Sequence, residues 1–135
     1  MYREETIKSL GPLTIAIDAC FTAIDKPTRD AYHSAYRGLR SGARVSSTEN
    51  DKEELFPLRA VLINALTEEH TDAGDWKGGW AWLGLFGNFS GGDICLSQLG
   101  VRVPMPEGSI VGLRGKELKH FIARWHGLRY SIVLL

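Results

Sequence analysis

From Phe56 to the C-terminus the apolar residues come in short segments separated by Gly, Pro and Asn, the punctuation of an all-β architecture. Seven strand candidates follow one another. Leu58–Leu66 is a nearly continuous apolar run, the pattern of a strand covered on both faces. Trp80–Phe86, Ile94–Leu96, Val101–Val103, Ser109–Leu113, Phe121–Trp125 and Tyr130–Leu135 complete the series. Seven short strands must bury their apolar faces against each other, which predicts a jelly-roll sandwich.

The first 55 residues have a different period. Leu13, Ala16, Ile17, Cys20, Phe21 and Ile24 recur at helical spacing and predict an amphipathic helix ending at Lys26-Pro27. A second helix is expected to open at Pro27, carry Tyr32, Tyr36 and Leu39 on one side, and weaken at Gly38 and Gly42. Ser41–Glu54 is polar and aperiodic and reads as a mobile loop. The expectation is one α+β, β-dominated domain over residues 1–135. Two N-terminal helices and the loop occupy 1–55, and the β core occupies 56–135.

Sixteen basic residues balance sixteen acidic ones, so no global field draws the chain to a polyanion. A nucleic-acid partner would need a local patch. Candidates are Arg37, Arg40 and Arg44, or Arg102, Arg114, Lys116 and Lys119, although scattered solvated charge accounts for most of them. Cys20 and Cys95 lack CxxC spacing and read as buried thiols of a reducing compartment. The charged start MYREETIKSL has no secretory core, and no apolar run reaches the length of a bilayer span. An intracellular location, nuclear or cytoplasmic, is expected, with no membrane partner and nothing that demands an oligomer. Asn88-Phe89-Ser90 matches a glycosylation sequon only by chance on this reading.

His70-Thr71-Asp72 follows the first strand candidate, and in an extended chain residues i and i+2 share a side. Imidazole and carboxylate then converge on one cation. His120 precedes a later strand that a jelly roll can return to the same mouth. Two histidines and one carboxylate form the facial triad of a non-haem ferrous ion, which leaves three coordination positions open. Isolated HxD strings and lone histidines such as His33 or His126 mean little, so the residues after His120 decide the matter.

Arg129 and Ser131 share a face of the last strand candidate. A guanidinium fork grips a carboxylate at two points and a hydroxyl supports one oxygen, as the distal C5 carboxylate of 2-oxoglutarate requires. The alternative for such an arginine is a surface salt bridge on an edge strand. With 2-oxoglutarate chelated through its keto and C1-carboxylate oxygens, the last metal position takes dioxygen. The products are succinate, carbon dioxide and a hydroxylated substrate.

From about Ala60 to the C-terminus the residues resemble the Fe(II)- and 2-oxoglutarate-dependent oxygenases. That family carries HxD, a Gly-Gly turn into a strand, a Pro…Gly turn, a distal His and Gly-x-Arg-x-Ser. Here these read His70-Thr71-Asp72, Gly91-Gly92-Asp93-Ile94-Cys95-Leu96, Pro106-Glu107-Gly108, His120 and Gly127-Leu128-Arg129-Tyr130-Ser131. The resemblance implies a double-stranded β-helix of the cupin-like kind, iron, 2-oxoglutarate and O2, with ascorbate as a stimulant. The string from Asn64 to Asp75 is similar to the TET/JBP branch, in its fungal and algal style, which oxidises the methyl group of thymine or 5-methylcytosine in nucleic acid. That likeness implies a DNA substrate and a base contact at Asp75, whose carboxylate can accept from the exocyclic amine of cytosine. Accessory DNA-binding inserts of the larger members are missing, and no wedge that flips a base is evident.

Asn64 lies six residues before His70 and is expected on the same strand face, buried, with its amide toward the C1 carboxylate of 2-oxoglutarate. Trp80 and Trp82 alternate on one face and fit a core. Trp76, in a turn beside Asp75, is the better platform for a planar base. Gly78-Gly79 and Gly91-Gly92 are turns, and Leu113-Arg114-Gly115-Lys116 is a bend with no assigned role. Two other functions fit the same residues: the same chemistry on a protein side chain or small metabolite, and a jelly-roll binding module without turnover.

Overall fold

The computed structural model describes residues 8–48 and 51–135. The reading of a charged, non-secretory start falls mainly on residues 1–7, outside the described residues. So do residues 49 and 50 of the Ser41–Glu54 stretch. The chain divides into two compact units, one ending at Arg59 and including Leu135, the other Ala60–Leu134.

Among the described residues the first unit is built on one kinked helix, α1 (Gly11–Gly38), whose two segments join without the break into separate helices that was expected. Asp25 breaks the helical dihedrals at φ −152° and ψ 69°, two residues before Pro27. A proline inside a helix removes one bond and clashes with the preceding turn. Here the Thr28 N–H is taken by Asp25 Oδ1 at 3.3 Å, so the helix restarts without a connecting loop. Leu13, Ile17 and Phe21 form one buried i, i+4 row, whereas Cys20 and Ile24 in the adjacent row are exposed. Cys20 is therefore not a buried thiol, and Cys95 is only half-buried.

The Ser41–Glu54 stretch is not simply a mobile loop. A 3-10 turn covers Ser41–Ala43, Ser47 is buried, and Glu54 is fully buried. Glu54 pairs with Arg59 and accepts from the Ser47 hydroxyl at 2.7 Å. Tyr36 donates to the Val45 carbonyl at 3.0 Å. Burial, followed by the nearby charges of Glu54 and Asp51, pushes its phenol up to about 12.

The second unit consists of two antiparallel sheets. Its strands are β1 (Arg59–Ile63), β2 (Ala81–Gly91), β3 (Ile94–Leu96), β4 (Val101–Val103), β5 (Ile110–Leu113), β6 (His120–Ile122) and β7 (Trp125–Leu134). One sheet has the order β1-β7-β2-β5 and the other β4-β3-β6. Leu85, Ile94, Met105 and Leu113 form a buried cluster contributed by both sheets, with Leu83, Phe89, Leu96 and Ile122 packed around it. The β2–β7 pair runs from Trp82↔Leu134 to Gly91↔Trp125. Gly127 is needed within it: at φ +99° a Cβ would lie 2.2 Å from the Asn88 carbonyl oxygen.

The expected first strand is shorter and barer than its sequence implies. β1 stops at Ile63 and lies at the edge of its sheet, with Val61 and Ile63 55% and 60% exposed. A continuous apolar run signals burial on both faces only when other layers pack over both faces of its sheet.

Candidate metal centre

His70 and His120 meet as a backbone pair. The His70 N–H donates to His120 O at 3.1 Å and the His120 N–H to His70 O at 2.9 Å, an isolated antiparallel bridge at the start of β6. Their rings lie 4.4 Å apart, centre to centre. Asp72 is set two residues beyond His70, its N–H donating to Gly115 O at 2.9 Å. Asp72 Oδ1 is 3.4 Å from His70 Nε2, and Oδ2 is 3.8 Å from His120 Nε2. One donor atom from each residue lies within 4.8 Å of the others.

Both rings are oriented by their other nitrogen. His70 Nδ1 is 2.7 Å from Glu68 O, and His120 Nδ1 is 2.8 Å from Leu118 O. A carbonyl can only accept, so each Nδ1 carries the proton and each Nε2 presents its lone pair to the cluster. A backbone carbonyl fixing the tautomer is the usual support of a ligating histidine. Metal bonds of about 2 Å at right angles separate neighbouring donors by about 3 Å, so the three atoms, within 4.8 Å of one another, would draw together to hold one cation.

Arg129 and Ser131 are brought together on β7, 3% and 4% exposed. Arg129 Nη1 donates to Ser131 Oγ at 2.8 Å, while its Nε and Nη2 are buried without a partner. Among the described residues no carboxylate pairs with it. Burial lowers its pKa, since desolvation disfavours the charged form. The guanidinium lies over Phe89 and Trp125 at 5.6 and 5.5 Å. A Cβ on Gly92 would come within 3.1 Å of Arg129 Nε, so the glycine leaves that face of the side chain clear.

Asn64 departs from its expected place. It lies past the end of β1, exposed, at φ +48°, not buried in a strand. Its Oδ1 accepts the Arg129 N–H at 2.9 Å, and its own N–H donates to Arg129 O at 2.9 Å. The left-handed conformation that asparagine tolerates lets it clasp the Arg129 backbone from both sides. The chain then crosses to the second sheet, where Thr67 Oγ1 accepts the Ile122 N–H at 3.3 Å before His70 meets His120.

Asp75 is half-buried and Trp76 is 59% exposed. Desolvation and then the Asp72 charge raise the Asp75 pKa, against the opposing charge of Lys116. Trp80 and Trp82 stack at 6.1 Å, and Trp82 is 2% exposed, which makes it core. Gly115 and Glu117 were not singled out by the sequence, and Lys116 only as one of several candidate basic-patch residues, yet all three bond the segment from Asp72 to Gly78. A glycine beside a lysine in a bend carries no signal that distinguishes it from any other turn.

No protein-family model and no curated protein matches the chain. Among solved structures it is similar to NgTET1 in complex with 5mC DNA, with a TM-score of 0.72 at 21% identity. The match covers 92% of this chain but 47% of the NgTET1 chain, so the chain spans less than half of that protein's length. The likeness is one of fold: a helix and antiparallel sheets arranged as in a TET structure.

Proposed function

We propose that this chain is an Fe(II)- and 2-oxoglutarate-dependent dioxygenase that hydroxylates the methyl group of 5-methylcytosine, or of a related methylated base, in DNA. The observation that carries the reading is the combination of two Nε2 lone pairs and a carboxylate converging in one cluster with a buried arginine that has no acid of its own. The likeness of fold to NgTET1 supports the substrate class, and the two sheets are read as the halves of a double-stranded β-helix.

His70, Asp72 and His120 are the metal ligands on this reading. When bound, iron(II) with 2-oxoglutarate and O2 supplies the oxidising chemistry, with succinate and carbon dioxide as co-products. Arg129 offers two unpartnered nitrogens, Nε and Nη2, to the C5 carboxylate, and Ser131, which accepts from Nη1, keeps its own hydroxyl proton to donate. Aromatic rings beside Arg129 exclude water and strengthen that grip. Asn64 holds the Arg129 backbone in register instead of touching the C1 carboxylate. Asp75 accepts from the exocyclic amine of the flipped base, and exposed Trp76 offers a stacking face.

The test is incubation with iron(II), ascorbate, 2-oxoglutarate and 5-methylcytosine DNA, with mass spectrometry of nucleosides and of succinate. The expected outcome is 5-hydroxymethylcytosine with matching succinate. Metal-loaded protein giving neither product removes the reading. Succinate formed by coupled turnover of a peptide or metabolite, with DNA untouched, moves the same chemistry to that substrate class.

A further inference from the structure

One turn touches the Asp72 segment at three consecutive residues. Gly115 O accepts the Asp72 N–H at 2.9 Å, Lys116 Nζ donates to Ala73 O at 2.6 Å, and Glu117 Oε1 accepts the Gly78 N–H at 2.8 Å. The held segment contains Asp75 and Trp76 and closes on itself through Asp75 N–H to Asp72 O at 3.0 Å and Gly79 N–H to Trp76 O at 2.9 Å. The turn is itself made rigid by Glu117 and Leu118 N–H groups that both donate to Arg114 O at 3.0 Å. His120 begins the next strand, so one connection governs two ligand-bearing segments.

Gly115 is the closest point of the fit. A Cβ there would lie 1.9 Å from Asp72 Oδ2, 2.9 Å from Cγ and 3.3 Å from Cβ, so its three nearest neighbours all belong to Asp72. Its φ is outside the left-handed region, which means the backbone itself would accept alanine. The missing side chain therefore serves the Asp72 carboxylate and not the turn.

We propose that Gly115–Glu117 is a positioning clamp: Gly115 keeps the Asp72 carboxylate in its ligand rotamer, while Lys116 and Glu117 hold the Asp75–Trp76 turn in register with the metal cluster. The clamp rests on the proposed function in taking Asp72 as a ligand and Asp75–Trp76 as the substrate turn. Its residues position groups and do not touch the reacting atoms. Holding a carboxylate from the outer layer of a metal site commonly alters affinity by about 10–100-fold.

Cobalt(II) absorption titrations and denaturant unfolding of the wild type, Gly115→Ala, Asp72→Ala and the double variant test the first half. Gly115→Ala should weaken Co(II) binding at least about tenfold and lower stability, whereas adding it to Asp72→Ala should cost far less, because Oδ2 and Cγ, the two atoms nearer than 3 Å, are gone and only Cβ at 3.3 Å remains. If Gly115→Ala alone fails to fold, recovery of folding in the double variant supports the clamp and continued unfolding overturns it. Wild-type Co(II) affinity in Gly115→Ala, with binding lost in Asp72→Ala, overturns the clamp alone. Undiminished binding in Asp72→Ala overturns the metal reading and the clamp with it.

For the second half, Lys116→Met and Glu117→Ala should raise KM for 5-methylcytosine DNA about tenfold, as one lost charge-assisted bond allows. Their kcat should stay near wild type, and Lys116→Arg and Glu117→Gln should restore KM. Faster amide exchange at Gly78 in Glu117→Ala, reversed in Glu117→Gln, is expected whether or not DNA is the substrate. An unchanged KM, or unchanged exchange at Gly78, overturns the register role of those two residues.

Discussion

Among the described residues, the side chains of Arg59 and Arg129 are withdrawn from solvent, one in each compact unit, and their surroundings differ. The Arg59 side chain, 6% exposed, is satisfied from within: Glu54 pairs with it, Ser47 Oγ accepts from Nη2 at 3.2 Å, and the Val45 carbonyl accepts from Nη1 at 3.3 Å. Only its Nε lacks a partner. Arg129 has one hydroxyl, two aromatic rings and no carboxylate among the described residues. A buried charge with its counter-ion supplied by the fold is structural. One left without an anion is, on the proposed reading, the group whose counter-ion arrives as ligand.

Substitutions can break that contrast. Glu54→Ala should have the largest effect on folding, about 3–5 kcal/mol in denaturant unfolding, because it strands Arg59 as an uncompensated buried charge. Asp72→Ala should lower metal affinity by about 100-fold, roughly 2.7 kcal/mol, and abolish turnover while the metal-free protein unfolds nearly as before. Arg129→Met should weaken 2-oxoglutarate binding to the metal-loaded protein by about 30-fold, roughly 2 kcal/mol from lost charge-assisted bonds. Its cost to folding without ligand should stay within about 1 kcal/mol, since no acid is stranded. Calorimetric titration and unfolding on the same samples check both, and a folding loss equal to that of Glu54→Ala would make Arg129 structural too.

The smallest effect concerns the clasp on Arg129. Asn64→Ala should cost about 1–2 kcal/mol in thermal unfolding, combining left-handed strain with a lost hydrogen bond. Asn64→Gly should cost less, since glycine adopts that conformation freely. Equal losses in the two variants would show that the backbone angle contributes nothing.

Strand periodicity and turn residues placed Ile94–Leu96 and Val101–Val103 where the structure has β3 and β4. These are local properties, written in neighbouring residues. The single kinked helix was not legible, because Pro27 marks a break in any sequence, while the Asp25 carboxylate that rescues the Thr28 N–H depends on side-chain geometry. Burial of Leu58–Leu66 was misread for a related reason: hydrophobicity records what a strand could bury, and whether a layer covers its faces is settled by packing, which leaves Val61 and Ile63 exposed.

The sequence alone determined which residues could make a metal and anion site, since side-chain chemistry is a local property: two imidazoles, a carboxylate, a guanidinium and a hydroxyl. Tertiary structure decided their condition. It brought His70 and His120 together across 50 positions, each ring already oriented by the carbonyl two residues before it, and left Arg129 buried without an acid among the described residues. It also set Gly115 against the Asp72 carboxylate, a contact that no spacing rule contains because it exists only where two loops meet.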